Sequence, residues 1–310
     1  MTAAPPRPAV AAMVAGAALI STTSIFVKWA QVAPSVSAFY RMAFGGGLLW
    51  LLLLLQRRWT YGSWRSGVRG GPSAMGWREV RWMLFPTVAF AVDLLLWHRS
   101  IRDVGPGLAT LLGNFQVFVM ALAGLWFYRE KLGWRFAGGL ALAFAGLWLL
   151  VGRNWQAVDA QYRLGVWFGI LTGVAYAAYL LSFRHAQKEK LSRSPAELLC
   201  LNSLLCAGVL ALVVLAEGNN FAIPNLGSAA ALLGLALFGQ VLGWLLIARA
   251  MPQLPASLVG LLLLLQPGLS FVLDVLLFGR PTVALDWIGL AISLAGIFVA
   301  GMRSEEAEPV

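Results

Sequence analysis

Two glutamines lie at equivalent places in a sequence that repeats itself, and their amide groups could bind a solute. A shift of 150 positions places Gln116 on Gln266, each near the middle of a long apolar run. In a membrane helix, a polar side chain at this depth is costly unless it faces protein or water, which makes it a candidate for function. The alternative is that each amide only hydrogen-bonds a neighbouring helix. The pair predicts either a shared binding site or two packing contacts.

One carboxylate lies at a similar depth. Asp93 is the only acid near the middle of an apolar run, because Asp274 is closer to the end of its own run. A buried carboxylate could bind the ammonium group of a substrate or carry a coupling proton. It could instead be neutralised by His98 or Arg99, which follow on the same predicted helix. The sequence leaves both roles open.

Aromatic and amide side chains complete the candidate site. Trp97 follows Asp93 by four residues and therefore shares its face of the helix. Four further aromatic and amide residues lie deep in apolar runs, where they could surround an amphipathic solute or serve only packing. The predicted substrate-binding residues are Asp93, Trp97, Gln116, Tyr176, Tyr179, Gln240, Trp244 and Gln266.

Pro267 predicts a break in the helix that carries Gln266. Proline has no backbone N–H, so the carbonyl of Leu263 loses its hydrogen bond within the helix. A free carbonyl beside a side-chain amide suits solute recognition or bending of the helix.

The sequence offers no set of residues for enzyme chemistry. No His, Cys and Asp cluster has metal-ligand spacing, no glycine-rich loop precedes a Lys-Ser or Lys-Thr pair, and only His98 and His185 could serve a triad. Cys200 and Cys206 lie six positions apart in one apolar run and are expected to be small buried hydrophobes. We therefore expect no catalytic residue, no metal and no cofactor, and predict that the protein is not an enzyme.

The composition indicates an integral membrane protein. Of the 310 residues, 60% are hydrophobic and 12% are charged, and the mean hydropathy is +0.77. Such a chain cannot cover a soluble globule with polar surface. The net charge of +10 comes from basic residues in short breaks between apolar runs, a pattern that reflects membrane topology rather than nucleic-acid binding.

Ten apolar runs approach the length of about 20 residues that a helix needs to cross a bilayer. They predict an all-α integral membrane protein with ten transmembrane helices, at 9–28, 35–55, 81–100, 105–127, 134–151, 164–184, 195–216, 227–247, 255–278 and 283–302. The sequence Gly-Leu-Ala at 139–141 recurs at 289–291, so helices one to five match helices six to ten. We predict one five-helix repeat at 1–152, a second at 164–303, and a cytoplasmic tail at 304–310.

Small residues line one side of the predicted fifth and tenth helices. They recur at roughly helical spacing and are Gly139, Ala143 and Gly146 in the fifth helix, with Gly289, Ser293 and Gly296 in the tenth. Small side chains let membrane helices approach closely. These two faces are therefore predicted to serve helix packing rather than binding.

The distribution of Lys and Arg predicts the orientation. With a cytoplasmic N-terminus, sixteen of them fall in inside segments and six in outside segments, and Arg41 lies within the second helix. This bias follows the positive-inside rule. Five helices per repeat is an odd number, so the second copy enters the membrane from the opposite side. An inverted repeat favours alternating access to a solute site near the midplane, where the halves meet.

Local motifs add to this architecture. They are Arg41 in the sequence Phe-Tyr-Arg, the Tyr-Arg-Glu-Lys-Leu break at 128–132, and the glycine-rich fifth helix. Together with the two halves they resemble the drug/metabolite transporter superfamily, EamA type. Glu130 matches the acid that ends the fourth helix of each repeat, whereas Arg280 replaces it in the second half. The resemblance implies a monomeric bacterial inner-membrane exporter with a central cavity, similar to amino-acid and metabolite exporters of the YddG type.

The expected function is therefore secondary export of small metabolites, above all amino acids including aromatic ones. The expected partners are the solute and the lipid bilayer, with no nucleic acid. Efflux of cationic drugs is an alternative, because an acid beside aromatic rings also binds cations. A channel or membrane sensor is a further alternative, although an inverted repeat favours two-state transport.

The topology gives the first testable prediction. A cysteine introduced as Arg65→Cys, in a background without Cys200 and Cys206, should be protected from an impermeant thiol reagent in intact cells, because this segment is predicted to be cytoplasmic. Arg163→Cys, in a predicted outside segment, is the accessible control. Labelling of position 65 from outside would contradict the orientation.

Overall fold

The computed structural model describes residues 7–61, 77–128, 133–152, 155–188, 194–250, 253–254 and 256–301. Within these residues the chain forms helices with short connections and no β-strand, which confirms the predicted all-α fold. Most of the predicted second-to-third connector, Glu130 and the tail at 304–310 lie outside the described residues.

The two halves consist of matching series of helices. The first half contains α1 (Arg7–Ser21), α2 (Thr23–Trp29), α3 (Pro34–Tyr61), α4 (Trp77–Val104), α5 (Pro106–Gly113), α6 (Gln116–Tyr128) and α7 (Trp134–Leu150). The second contains α8 (Ala160–Lys188), α9 (Pro195–Ala216), α10 (Leu226–Gly234), a π-helical segment (Leu235–Gly243), α11 (Trp244–Ala250), α12 (Ala256–Leu263), α13 (Leu265–Phe278) and α14 (Ala284–Gly301). Proline opens α5 and α9, where its missing N–H would have had no partner in the helix.

These helices combine into the ten predicted crossings. Eight spans in the described part of the chain are long and apolar enough to cross a membrane, and two shorter apolar helices, Trp134–Leu150 and Ala284–Ala300, complete the set. The 17 residues of α7 extend about 25 Å, close to the roughly 30 Å of a hydrocarbon layer. The prediction of ten transmembrane helices is confirmed.

The 150-residue register also holds for helix bounds. The helices α5 and α12 begin at 106 and 256, α6 and α13 end at 128 and 278, and α7 and α14 begin at 134 and 284. Equivalent sequences therefore form equivalent helices in the two halves.

Both copies of the fourth helix are broken at the same place. Residues 114–115 separate α5 from α6, and Leu264 separates α12 from α13. At each break the backbone forms a hydrogen bond of the 3₁₀ type, between residues three apart. The Phe115 N–H donates to the Leu112 carbonyl at 3.0 Å, and the Leu264 N–H donates to the Leu261 carbonyl at 3.2 Å. The two breaks place equivalent residues of the two halves in equivalent positions.

Pro267 accounts for only one of these breaks. The predicted break near Leu263 is confirmed, but Val117 stands at the place that matches Pro267 in the first half. There Asn114 occupies the break, and its Nδ2 donates to the Thr110 carbonyl at 2.8 Å. Asparagine side chains compete with the helix for backbone acceptors. The same break therefore has a different local cause in each half.

The small residues of α7 and α14 bring these helices into direct backbone contact. A Cβ atom on Gly139 would lie 2.6 Å from both the Ala300 nitrogen and the Gly296 carbonyl oxygen. A Cβ atom on Gly146 would lie closer still to the Gly289 carbonyl oxygen. The predicted packing role of these faces is confirmed, and it joins the two halves.

This contact predicts a large difference between adjacent glycines. Gly139→Val should lower the free energy of unfolding by about 1–3 kcal/mol, because its side chain must push α14 away. Gly138→Val is the matched control, since a Cβ there meets nothing within 4 Å. Thermal unfolding in detergent measures both. Equal losses of stability would show that α7 and α14 are not in contact.

Candidate functional site

A cavity of about 340 Å³ lies between the two halves, near the middle of the helices. Its wall includes α3, α4 and the α5–α6 break from the first half, and α8, α11 and the α12–α13 break from the second. Six of the eight predicted binding residues line it, namely Asp93, Trp97, Gln116, Tyr176, Trp244 and Gln266.

The two glutamines reach the cavity from the equivalent broken helices. Gln116 begins α6, and Gln266 is the second residue of α13. The Gln116 Oε1 atom is buried and has no hydrogen-bond partner. Gly173 lets α8 approach this break, because a Cβ there would lie 3.0 Å from the Gln116 nitrogen. A buried amide oxygen without a partner is available to hydrogen-bond a molecule in the cavity.

Asp93 also lines the cavity. Its side chain is only 6% exposed, and within the described residues its carboxylate makes no hydrogen bond or ion pair. The alternative in which His98 or Arg99 neutralises it does not hold. His98 Nδ1 lies 2.6 Å from Ser37 Oγ, and Arg99 pairs with Glu217. The carboxylate is therefore left to the cavity.

Tyr179 and Gln240 do not line the cavity. Tyr179 is buried and stacks on Phe90 of α4 with ring centroids 4.2 Å apart, and its ring centroid also lies 6.0 Å from that of Tyr176. Gln240 is also buried, and its Nε2 donates to Ser203 Oγ at 3.1 Å. The depth of a residue is visible in the sequence, but the direction of its side chain is not.

Five further polar residues that the sequence-based prediction missed line the cavity. They are Thr23 on α2, Arg41 on α3, Thr110 on α5, Asn114 in the first break and Thr172 on α8. Arg41 could have been identified from the sequence, because a basic residue within an apolar run is as costly as an acid. Asn114 was harder to identify, although it lies two residues before Gln116 in the same apolar run.

Ion pairs join the two halves at one end of the molecule. The Asp274 carboxylate, 1% exposed, lies 3.6 Å from Lys28 Nζ and 3.3 Å from Arg280 Nη1, and accepts the Gly107 N–H at 3.2 Å. Arg280 also donates to the Val104 carbonyl at 2.8 Å. Lys28, Gly107 and Val104 belong to the first half, so these contacts hold the halves together.

Gly105 makes this contact sterically possible. It has φ of 89°, a conformation that residues with a side chain rarely adopt. A Cβ atom there would lie 2.7 Å from Asp274 Oδ2. The turn between α4 and α5 can therefore approach the buried carboxylate only because this residue is glycine.

A second ion pair reinforces the same end. Arg99, near the end of α4, pairs with Glu217, which directly follows α9. Partial burial raises the pKa of Glu217, but hydrogen bonds from Ser35, Arg99 and Asn219 and the Arg99 charge outweigh it, so the pKa lies below its ordinary value. We call this end, defined by Lys28, Arg99, Glu217, Asp274 and Arg280, the ion-pair face.

The cavity extends away from the ion-pair face. Near this face α8 begins, since Gln161 Nε2 donates to Asp103 Oδ1 at 2.9 Å. The lining residues Thr172, Tyr176 and Leu180 follow one another along α8, each about one turn farther from that face. The lining of the cavity therefore extends along α8 away from the ion-pair face.

Two inverted five-helix repeats with a cavity between them near mid-membrane define the class of a membrane transporter. The sequence pattern of the EamA-like transporter family matches residues 7–152 and 163–302. The chain belongs to the EamA-like transporter family.

The individual proteins that resemble this chain share only 17–29% sequence identity with it. An uncharacterized transporter of Haemophilus influenzae is 29% identical over 111 residues, which span 35% of this chain and 36% of that protein. A probable 4-amino-4-deoxy-L-arabinose-phosphoundecaprenol flippase subunit, ArnE, of Photorhabdus laumondii is 29% identical over 87 residues, or 28% of this chain and 73% of that subunit. A crystal structure of another protein superposes with a TM-score of 0.64 at 17% identity, over 96% of this chain and 99% of that one. This last likeness supports the fold alone.

Substitution of either glutamine in the cavity is expected to reduce transport. Gln116→Ala and Gln266→Ala should each weaken solute binding about ten- to hundredfold, because a hydrogen bond to a charged solute group contributes about 1.5–3 kcal/mol. Gln253→Ala is the matched control, since Gln253 is exposed and donates to the Arg249 carbonyl at 2.8 Å. Binding and transport are measured on purified variants whose thermal unfolding matches that of the wild-type protein. Normal transport by both cavity variants would assign the amides to helix packing.

Proposed function

We propose that this transporter exports small amphipathic metabolites, above all amino acids including aromatic ones, across the bacterial inner membrane. The observation that carries the proposal is the Asp93 carboxylate, which lines a cavity between the halves and makes no hydrogen bond or ion pair among the described residues. Trp97, Tyr176 and Trp244 line the same cavity. A carboxylate beside aromatic rings suits a solute with an ammonium group and an apolar side chain.

The polar groups of the cavity take separate roles in this proposal. Asp93 binds the ammonium group of the solute, and the amides of Gln116 and Gln266 hydrogen-bond its polar atoms from the two broken helices. The apolar side chain of the solute contacts the aromatic rings and Leu263, which also lines the cavity. Binding of one solute by residues of both halves allows the solute to influence how the halves are arranged.

Transport then requires the ion-pair face to open. Lys28, Arg99 and Glu217 are each about one-third exposed, with side-chain exposures of 37%, 32% and 29%. The Arg99–Glu217 pair has both partners partly exposed, so it contributes only about 0–1 kcal/mol and can exchange for water during a cycle. Asp274 is 1% exposed, so opening of the face must also bring water to its carboxylate. The two halves, at 1–152 and 164–303, would rock against each other as the cavity closes on the opposite side.

The proposed orientation of the termini identifies the side of the membrane that the cavity faces. With both termini in the cytoplasm, the ion-pair face is periplasmic and the cavity reaches toward the cytoplasm. This is the state in which an exporter loads its solute. We further propose that one chain is the transporting unit, because residues of the two halves of a single chain line the cavity.

A second candidate function rests on the same carboxylate. Asp93 with its aromatic neighbours would also attract cationic compounds that carry no carboxylate. Amino-acid export and cation efflux therefore differ in the solute that the cavity accepts, and a solute-by-solute assay separates them.

Uptake into proteoliposomes tests the proposal. Wild-type protein should take up amino acids with apolar or aromatic side chains. Unlabelled solute preloaded inside the vesicles should drive counterflow of labelled solute into them, which a channel does not support. Asp93→Asn keeps the shape and removes the charge, so it should lose transport of ammonium-bearing solutes or lose its response to a pH gradient. Asp159→Asn is the control, because Asp159 is exposed and caps the start of α8 through the Tyr162 N–H.

The thermal stability of Asp93→Asn in detergent should stay near the wild-type value. Its collapse would make Asp93 a structural residue. Transport of cationic drugs in place of amino acids would establish the second candidate function instead.

A further inference from the structure

Arg41 is a buried charge without an ion-pair partner. It lies on α3 within the membrane-spanning part of the chain, 8% exposed, and lines the cavity. Its Nε atom is buried and has no hydrogen-bond partner. Within the described residues, the guanidinium group makes no ion pair. A buried charge in this condition is costly, which points to a partner that binds and leaves.

The surroundings of Arg41 hold it in the cavity. Its Cζ atom lies 5.3 Å from the centre of the Trp97 ring on α4. On the other side, Arg41 Nη2 is 3.9 Å from where a Cβ on Gly239 would be, in the π-helical segment of the second half. The guanidinium group therefore lies between the two halves, against a ring that the proposed solute also contacts.

The same cavity contains the opposite charge. Asp93 and Arg41 both line it, and their charges attract each other, yet no ion pair joins them. A solute with only a positive group would satisfy Asp93 and leave Arg41 unpaired. A solute that carries an ammonium and a carboxylate group on the same carbon would satisfy both. Guanidinium binds carboxylate well, because its planar N–H groups match the two oxygens.

We infer that Arg41 forms the carboxylate-binding part of the solute site, so that the cavity accepts zwitterionic α-amino acids in one orientation. This inference rests on the proposed function and deepens it. The carboxylate of the amino acid pairs with Arg41, the ammonium group pairs with Asp93, and the side chain extends toward Tyr176 and Trp244. Arg41 is then the residue that rejects amines without a carboxylate.

Competition binding on the purified full-length chain tests this inference. The labelled probe is L-phenylalanine, and the competitors are L-phenylalaninamide, which lacks the carboxylate charge, and 3-phenylpropanoate, which lacks the ammonium group. Wild-type protein should bind L-phenylalanine about ten- to hundredfold more tightly than the amide. In Arg41→Gln this ratio should fall to near one. Arg41→Lys should restore part of it, because the charge returns without the planar donors.

Arg163→Gln is the matched control and should keep the wild-type ratio. Arg163 lies in the first turn of α8, where its Nε donates to the Asp159 carbonyl at 3.4 Å. If Arg41→Gln does not fold, the inference is tested by comparing the wild-type ratio with the Arg41→Lys ratio, which should be lower.

The outcomes separate this inference from the proposed function. Equal binding of phenylalanine and its amide by wild-type protein would overturn the role of Arg41 and leave amino-acid export standing. A high ratio that survives in folded Arg41→Gln would do the same. In direct titrations of each compound, binding of the amide without binding of phenylalanine, or binding of none of the three compounds, would overturn both.

Discussion

No water reaches a lipid-embedded segment to satisfy an unpaired polar group, and this constraint governs where the helices of this protein break and where its charges lie. The α5–α6 and α12–α13 breaks both adjoin the cavity, so the loosened backbone faces the cavity rather than lipid. At the α1–α2 break, where Ile20 and Thr23 also line the cavity, hydroxyl groups hydrogen-bond the backbone. Thr22 Oγ1 donates to the Leu19 carbonyl at 2.7 Å, and Thr23 Oγ1 donates to the Ile20 carbonyl at 2.6 Å.

The repeat gives the two halves the same series of helices, but the charged residues of the two halves differ. Arg280 stands where the repeat would place an acid equivalent to Glu130. In the structure it pairs with Asp274 and donates to the Val104 carbonyl of the other half. The departure from the family pattern therefore supplies a cation that ties the halves together at the ion-pair face. Divergence of the second copy has a structural consequence at that end of the molecule.

The two kinds of contact between the halves suit different parts of the proposed cycle. The α7–α14 contact is made by backbone against backbone through small residues, so little can change there without lifting the helices apart. The ion-pair face is held by charged side chains, of which Lys28, Arg99 and Glu217 are about one-third exposed and Asp274 is buried. In an alternating-access cycle, the first contact would act as the pivot and the second as the part that opens.

The sequence alone determined the helices, their repeat and the depth of each polar residue. These follow from local composition and periodicity, because a membrane helix needs a continuous apolar run and a polar residue interrupts it visibly. The second break and the packing of α7 and α14 were predictable for the same reason, from Pro267 and from the spacing of small residues.

Tertiary structure decided which side chains meet. His98 and Arg99 follow Asp93 closely in sequence, yet the first contacts Ser37 on α3 and the second contacts Glu217, 118 positions away. Tyr179 turns toward α4, while Tyr176 on the same helix faces the cavity. The direction of a side chain depends on helix rotation and on the neighbours that pack against it. Neither is encoded in the apolar pattern of a single helix, so the sequence located the site by depth and only the folded chain placed Arg41 and Asp93 in one cavity.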